Sequence, residues 1–244
     1  MPGRSDDQSP GKGACLMGST SVVPDLPHGQ DDTAGAVHAW VHGWAVSRGA
    51  ADPVPAPWGF TLDVGLPGHV ARHVLTAADE AAVRKITENP AAPGTWLKAP
   101  APPEEFESWL GPGWSLAGGP GFLMSAPPRT ARTGAPPAVA DGYRLDTWIR
   151  DGVARALVRT AGGAFAARGQ AGMAGPVFVV DQVETDPAHQ RRGLGRLLMH
   201  ALVDATADRG ATEGVLVATP GGPGPVRDDG MAGTGPADGR RTDL

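Results

Sequence analysis

The sequence predicts an α/β fold that occupies part of a chain of 244 residues. Strand-like segments follow one another between residues 143 and 185, and an amphipathic helix follows them between residues 193 and 209. The chain also contains 36 Gly and 25 Pro, a content typical of chains with low-complexity segments. Because 41% of the residues are nevertheless hydrophobic, we expect a folded α/β part flanked by tails and linkers.

Composition and charge exclude several classes of protein. The chain has no run of about 20 apolar residues, the length that a membrane-spanning helix needs. Met1–Gln8 is polar, so no secretory signal is predicted, and the single cysteine, Cys15, cannot form a disulfide framework. A net charge of −5 does not favour a basic surface for nucleic acid. We therefore expect a cytoplasmic protein that binds neither nucleic acid nor membrane, with its oligomeric state left open.

Changes in composition along the chain predict its division. Segments that are rich in Gly and Pro and lack apolar periodicity are read as tails or linkers. The predicted parts are a disordered tail at 1–35, an N-terminal helical and strand region at 36–125, a Pro-rich linker at 126–138, a core at 139–219 and a second disordered tail at 220–244.

Four elements are predicted in the N-terminal region. They are a helix over Ala36–Arg48, a strand over Trp58–Val64, and helices over Thr76–Glu88 and Pro103–Leu110. The first helix places Trp40 and Trp44 on one apolar face, where core packing is the favoured role of both indoles. Thr76 is the expected N-cap of the second helix, and Pro90 ends it.

The core is predicted to consist of five strands and one long helix. The strands are Tyr143–Arg150, Val153–Thr160, Ala164–Gly172, Val177–Thr185 and Val215–Ala218, and the helix is Gly193–Arg209. Asp151–Gly152 is a strong signal for a tight hairpin between the first two strands. The fourth strand is almost continuously apolar, which predicts burial on both of its faces.

A cationic, glycine-containing turn joins the fourth strand to the helix. It reads Gln190-Arg-Arg-Gly-Leu-Gly-Arg196. Backbone N–H groups at a helix N-terminus lack intrahelical acceptors and bind phosphate together with the helix dipole. Gly193 and Gly195 allow an anion to approach the backbone, and three arginines add positive charge. The turn therefore predicts a pyrophosphate site, with neither a dinucleotide fingerprint nor a Walker loop.

This turn, with Pro187 and a Val-rich strand before it, resembles the acyl-CoA loop of the GNAT acyltransferases. The resemblance covers residues 139–219. It implies a mixed, mostly antiparallel central sheet flanked by helices. It also implies an N-acetyltransferase that moves an acetyl group from acetyl-CoA to a primary amine of a small molecule or a protein, without a metal.

The resemblance also implies a set of cofactor-binding residues. The backbone of Val183 and Thr185 would pair with the pantetheine arm, and the thioester would lie near Asp181–Val183. The pyrophosphate would be held by Gln190, Arg191, Arg192, Gly193, Leu194, Gly195 and Arg196.

Two carboxylates are candidates for the catalytic base that an attacking amine requires. Strand alternation places Asp181 on one face with Val183 and Thr185, which makes Asp181 the first candidate, directly or through water. The alternative is that Asp181 only caps the end of the strand. Glu184, the second candidate, is expected on the opposite face, where a solvated or structural role is favoured.

The chain departs from the family pattern after residue 219. The expected late helix, two late strands and tyrosine are not recognisable, so the C-terminal strands are predicted to be missing and the fifth strand to be an uncovered edge. A one-nucleotide shift of the reading frame over 224–233 would permit the missing motif, so one hypothesis is a frameshift. The only tyrosine, Tyr143, begins an early strand and is not assigned as the acid. The alternative function is a catalytically impaired CoA-binding or regulatory module.

Other features allow two interpretations each. The pairs His38/His42 and His69/His73 have the spacing of helical metal ligands, although partly buried helix histidines are the favoured interpretation. The Trp58–Leu110 stretch either supplies the first strand and helices of the family fold or forms a separate small domain.

Overall fold

The computed structural model describes residues 13–14, 17–18, 30–89, 91–116, 121–126, 137–218 and 232–233. The helices are α1 (Gln30–Arg48), α2 (Glu80–Thr87), α3 (Pro103–Trp109) and α4 (Leu194–Ala207), and a 3₁₀ turn covers Pro187–His189. The strands are β1 (Gly13–Ala14), β2 (Met17–Gly18), β3 (Val54–Ala56), β4 (Gly59–Leu66), β5 (His69–Leu75), β6 (Thr95–Lys98), β7 (Ser115–Leu116), β8 (Gly121–Ala126), β9 (Tyr143–Arg150), β10 (Val153–Thr160), β11 (Phe165–Ala174), β12 (Val177–Thr185), β13 (Glu213–Ala218) and β14 (Ala232–Gly233).

The main sheet has the predicted mixed, mostly antiparallel character. Its strand order is β14-β8-β13-β12-β11-β10-β9, and β2 also pairs with β8. Strands β9 to β12 are antiparallel neighbours, whereas β12 and β13 run parallel. The predicted hairpin is confirmed, because Asp151 and Gly152 both have positive φ angles, 51° and 74°, as a tight hairpin turn requires.

Helices cover both faces of the main sheet. Val180 packs in the cluster that includes Leu198 and Leu202 of α4, whereas its neighbour Val179 packs in the cluster that includes Trp40 and Trp44 of α1. Since successive residues of a strand point to opposite faces, α1 and α4 lie on opposite sides of the sheet. The predicted burial of β12 on both faces is therefore confirmed.

A second sheet lies on the far side of α1. Its order is β3-β4-β5-β6-β1-β7. Phe60, Leu62 and Val74 of this sheet share a core with α1, and Val215 of the main sheet belongs to the same core. Helix α1 is thus packed between two sheets. The division of the chain, including whether 58–110 is a separate small unit, stays a prediction.

Three expectations in the N-terminal region are corrected. Helix α1 begins at Gln30, so residues 30–35 are helical and not part of a disordered tail. Helix α2 begins at Glu80, because the side chain of Asp79, not of Thr76, caps it by accepting from Ala82 N at 3.0 Å. The segment His69–Leu75 is a strand and not a helix, since its neighbours β4 and β6 pair with it along its length.

The expected uncovered edge at β13 is also wrong. Strand β8 pairs with β13 in antiparallel register, from Ala126 with Gly214 to Phe122 with Ala218. A segment that precedes the predicted linker therefore covers this strand. The predicted tail at 220–244 and linker at 126–138 lie mostly outside the described residues. In the described part of the chain, no helix has the length and apolarity to cross a membrane.

Helix α1 reaches the main sheet through glycines. A Cβ atom on Gly172 of β11 would collide with the carbonyl oxygen of Gly43 and with the backbone nitrogen of Ser47. Because backbone atoms cannot rotate away, only glycine fits at this crossing.

We expect Gly172→Ala to lower the free energy of unfolding by about 1–3 kcal/mol, the usual cost of overpacking a close contact. Gly35 lies on the exposed side of α1, and no neighbouring atom lies within 4 Å of a Cβ built on it. Gly35→Ala should therefore raise the free energy of unfolding by about 0.5–1 kcal/mol, because alanine is the better helix former. Urea unfolding of both variants measures the difference. Equal stabilities would contradict the close approach.

Candidate functional site

Strands β12 and β13 separate part of the way along the main sheet. Their pairing runs from Val177 with Glu213 to Val180 with Leu216, although β12 continues to Thr185. Beyond this point β13 stays paired with β8. We call the resulting gap, between residues 181–185 and residues 217–218, the wedge. It connects the face covered by α1 with the face covered by α4.

A β-bulge lies where the wedge begins. Asp181 pairs with Gln170 and Glu184 pairs with Arg168, so two residues of β12 oppose one residue of β11. The backbone of Gln182 takes a left-handed conformation, with φ at 54°.

The bulge corrects the predicted faces of β12. Gln170 and Arg168 are two residues apart on one face of β11, so their partners Asp181 and Glu184 share the face covered by α1. Val183 lies on the other face, because its side chain is next to Gly169 and close to Leu202 of α4. Simple alternation failed here because the extra residue shifts the period by one.

The open edge of β12 presents backbone groups to the wedge. Asp186 N donates to Ala166 O at 2.9 Å, toward β11. The backbone N–H and C=O groups of successive residues alternate between the two edges of a strand. Those of Val183 and Thr185 therefore point away from β11, into the wedge. Val183 as a whole residue is 39% exposed. A chain that carries amide groups can pair here as an added strand does.

Asp181 is fixed by the C-terminal end of α1. Its two oxygens accept from Nε and Nη2 of Arg48, the latter at 2.9 Å, and Ser47 Oγ donates to Oδ2 at 3.1 Å. Gln170 Nε2 donates to Ser47 O at 2.6 Å and Oγ at 2.8 Å. In its alternative amide orientation, Gln182 also accepts from Arg48, at 3.2 Å. The network holds the bulge against the helix, and the catalytic role of Asp181 stays a prediction.

Glu184 occupies a different environment. It pairs with Arg168, with Arg168 Nε 3.1 Å from Glu184 Oε1, and both side chains are about half exposed at 54% and 51%. An exposed ion pair of this kind contributes little to stability. The geometry favours a solvated role for Glu184, whose catalytic role also stays a prediction.

The cationic turn has the geometry of an anion site. The carboxylate of Asp186 accepts from Ala188 N at 2.8 Å and begins the 3₁₀ turn. Arg191 and Gly193 then take left-handed conformations, with φ at 58° and 76°, and α4 begins at the buried Leu194. The first N–H groups of the helix have no intrahelical acceptors. No atom lies within 4 Å of a Cβ built on Gly193 or Gly195, so the space in front of the turn is open.

Tyr143 is a site residue that the sequence did not reveal. Its hydroxyl group is 2.9 Å from His189 Nδ1 and accepts a hydrogen bond from Arg192 Nη1 at 3.0 Å. Its ring also meets the His189 ring edge to face, with centroids 5.6 Å apart. A separation of 46 residues left no local signal for this contact. Tyr143 thus braces the side of the turn.

Among the described residues, no group of three or more potential metal ligands converges, at the histidine pairs or elsewhere. His38 and His42 stack on α1 with ring centroids 4.5 Å apart. Burial, then the charge of His38, lowers the pKa of His42. Burial lowers the pKa of His73, whose Nδ1 is 3.0 Å from Thr61 Oγ1. His69 takes no part in the contact between His73 and Thr61, and its ring contacts those of Trp44 and Trp96.

Comparison with known proteins agrees with this geometry. The sequence model of the Acetyltransferase (GNAT) family matches residues 134–221, which include the wedge and the cationic turn. A solved structure of a GCN5-related N-acetyltransferase from Kribbella flavida is similar in fold, with a TM-score of 0.57 and 17% sequence identity over 83% of this chain and 92% of that chain.

Two further solved structures are similar over shorter parts. A GCN5-related N-acetyltransferase from Sphaerobacter thermophilus is 15% identical over 46% of this chain and 48% of its own, with a TM-score of 0.37. A tandem GNAT protein from the clavulanic acid biosynthesis pathway is 16% identical over 48% of this chain and 54% of its own, with a TM-score of 0.38. Comparison with curated proteins gives no match.

We expect Asp181→Ala to lower the free energy of unfolding by about 2 kcal/mol, since it leaves the partly buried Arg48 without its carboxylate. The Arg48 side chain is 28% exposed and that of Asp181 14%. Glu184→Ala is the matched control, and its effect should stay within about 0.5 kcal/mol because its ion pair is solvated. Thermal and urea unfolding measure both variants. An equal loss in the two would show that the Arg48 contact does not hold the bulge.

Proposed function

We infer from the match of residues 134–221 to the model of the GNAT acetyltransferase family that this acyltransferase takes an acetyl group from acetyl-CoA and transfers it to a primary amine. The observation that carries the proposal is the position of the cationic turn beside the wedge. One feature fits the pyrophosphate of CoA, and the other fits its pantetheine arm. The cytoplasmic location stays a prediction.

The turn supplies the groups that bind the diphosphate. Its residues 190–196 combine backbone donors at the start of α4 with the side chains of Arg191, Arg192 and Arg196. Arg191 and Arg192 are exposed. The open space in front of Gly193 and Gly195 lets phosphate oxygens approach the backbone closely.

The wedge supplies the groups that orient the thioester. The exposed Val183 side chain lies on the face of α4, where the turn also lies, whereas Asp181 lies on the face of α1. A pantetheine arm that pairs with Val183 and Thr185 would therefore pass through the sheet. Its thioester would arrive beside Asp181, and the acceptor amine would approach from the side of α1.

The proposed reaction is a direct transfer. The neutral amine nitrogen attacks the thioester carbonyl carbon, the C–S bond then breaks, and the amine loses one proton while the departing thiolate gains one. Asp181 is our first candidate for the group that receives the amine proton, directly or through a water molecule. Its two oxygens offer about four acceptor positions, of which Arg48 and Ser47 fill three. The remaining position, on Oδ1, is the one available, and Glu184 is the second candidate.

The alternative function is a CoA-binding or regulatory module with impaired catalysis. The position of Tyr143 favours it, because the only tyrosine of the chain is bound to His189 and Arg192 at the turn and not to the wedge. The two functions differ in a single outcome. An enzyme releases free CoA thiol when an amine is present, whereas the module binds acetyl-CoA without releasing thiol.

Calorimetric titration with acetyl-CoA tests the turn. We expect Gly193→Asp to weaken binding by about tenfold or more, because a carboxylate would repel the phosphates and a left-handed φ strains the new side chain. Gly210→Asp is the matched control, since Gly210 also has a positive φ and no atom within 4 Å but lies past the other end of α4. Equal binding by both variants would refute the site. Thiol release with a panel of amines then separates enzyme from module.

Removal of the Tyr143 hydroxyl group tests whether its hydrogen bonds to His189 and Arg192 support the turn. We expect Tyr143→Phe to weaken acetyl-CoA binding about threefold to tenfold, because the side chains of His189 and Arg192 each lose a hydrogen bond of about 1 kcal/mol. The effect should appear in KM for acetyl-CoA and not in kcat. A large fall in kcat with unchanged KM would instead make Tyr143 a catalytic group.

A further inference from the structure

Helix α1 occupies only part of the face of the main sheet on which it lies. It packs on β11 and β12, and its last residues contact Gln170 and Asp181. Strands β10 and β9 lie farther along the sheet, beyond β11. We call the rest of this face the open face, and it consists of Arg144, Asp146 and Trp148 of β9, Arg155, Leu157 and Arg159 of β10, Phe165 and Arg168 of β11, and Glu184 of β12.

Strand pairing places these residues on the same side as Asp181. Directly paired residues form rows across the strands, and the members of a row share a face. The first row is Asp181, Gln170, Arg155 and Trp148. The second row is Glu184, Arg168, Leu157 and Asp146. The third row is Arg144, Arg159 and Phe165, and it lies two residues farther along β9 and β10, on the same face.

The open face is accessible to a ligand. Its residues are exposed, apart from Arg155 and Leu157, which are half-buried. Trp148 is 43% exposed and Phe165 is 39% exposed, although both are large and apolar. Within the described residues, therefore, no element covers this part of the sheet.

The open face is positively charged, in contrast to the whole chain. It carries four arginines and two carboxylates, whereas the net charge of the chain is −5. The two carboxylates pair with Arg159 and Arg168, in contacts whose side chains are about half exposed. In the described part of the chain, the side chains of Arg144 and Arg155 have no hydrogen-bond or ion-pair partner. Two guanidinium groups are thus available to an anionic ligand.

The first row connects the open face to the wedge. Asp181 is at its inner end, and Trp148 is at its outer end, three strands away. Neighbouring strands lie about 4.8 Å apart, so this row is about 14 Å long. An extended peptide spans that distance with about four residues. Arg155 lies about 10 Å from Asp181, two strands away, so it is within reach of a side chain close to a reacting amine.

We propose that the acceptor is the amine of an acidic peptide, which lies across the open face with its carboxylates at Arg155 and Arg144 and its amine at the wedge. The inference rests on the proposed function, because that function brings the acceptor amine to Asp181 from the side of α1. The planar guanidinium groups match carboxylates in shape and charge. The exposed indole of Trp148 offers an apolar contact to the carbon chain of the peptide.

A second copy of this chain fits the open face less well. A two-fold interface places the same surface patch on both subunits, so the arginines of one copy would meet those of the other. An acidic peptide meets no such repulsion. Its length also agrees with the length of the first row.

The test measures the binding of product peptides, so that it does not depend on turnover. Two decapeptides with an acetylated N-terminus and a C-terminal fluorescein are titrated with the full-length protein, and fluorescence anisotropy is followed. One peptide has three glutamates after its first residue, and the other has three glutamines there. We expect the acidic peptide to bind about tenfold more tightly at low ionic strength, with a smaller difference when salt screens the exposed charges.

Variants of the open face should reduce this preference. Arg155→Gln and Arg144→Gln should each lower it about twofold to fivefold, the usual effect of an exposed ion pair. Arg155→Lys keeps the charge and should keep most of the preference, which distinguishes loss of charge from a change of fold. If Arg155→Gln does not fold, by near-ultraviolet circular dichroism, Arg144→Gln at its exposed position decides.

Two control variants locate the peptide. Arg209→Gln removes an exposed arginine just past the end of α4, and it should leave the preference unchanged. Arg191→Gln removes an exposed arginine of the cationic turn. It should weaken the binding of acetyl-CoA and leave the peptide preference unchanged, so a failure of the proposed function and a failure of this proposal give different results.

Three results would overturn the proposal. The first is equal binding of the two peptides by the wild-type protein, or a preference that survives Arg155→Gln and Arg144→Gln together. The second is a loss with Arg191→Gln as large as with Arg155→Gln, which would place the peptide at the turn. The third is tighter binding of a labelled single-stranded oligonucleotide of equal charge, which would make nucleic acid the ligand of the open face.

Discussion

The ion pair between Arg48 and Asp181 is the contact on which the arrangement of the site depends. It ties the last turn of α1 to the bulge in β12, at the residue where β12 leaves β13. Ser47 and Gln170 add hydrogen bonds around the same carboxylate. A partly buried ion pair repays its desolvation only when further hydrogen bonds surround it, and here they do. The position of the helix, the bulge and the opening of the sheet are therefore coupled.

The opening gives the sheet a different chemistry on each face. On the side of α4, the first backbone N–H groups of the helix lie beside the arginines of the turn, and Tyr143 accepts a hydrogen bond from Arg192. On the side of α1, Asp181 accepts from Arg48, whose guanidinium group also lies over the ring of Trp44. In the proposed function, a cofactor that bridges the two faces would keep its phosphates in water while its thioester lies beside the partly buried Asp181. That arrangement would lower the access of water to the thioester.

Periodicity and turn chemistry were sufficient to predict three strands and the long helix of the main sheet, because β9, β10 and β12 have the expected bounds and α4 begins within one residue of the expected position. They failed where distant segments decide the structure. The His and Arg residues of β5 hide the apolar pattern of a strand, and the segment is a strand because it pairs with its neighbours β4 and β6. The bulge at Gln182 has no local signal, and it moved Val183 and Asp181 to opposite faces. The partners of Asp181 come from α1, more than 130 residues away.

Strand β8 has a consequence for the order in which the chain assembles. It precedes β9 in the sequence, yet it pairs with β13, the last long strand of the main sheet. During synthesis β8 therefore leaves the ribosome well before the strand that it must join. Contacts between residues so far apart are closed late and slow the folding of a domain. Until β13 is complete, the edge of β8 that β13 will cover is unpaired, and an unpaired apolar edge is a site where a nascent chain can pair with other chains.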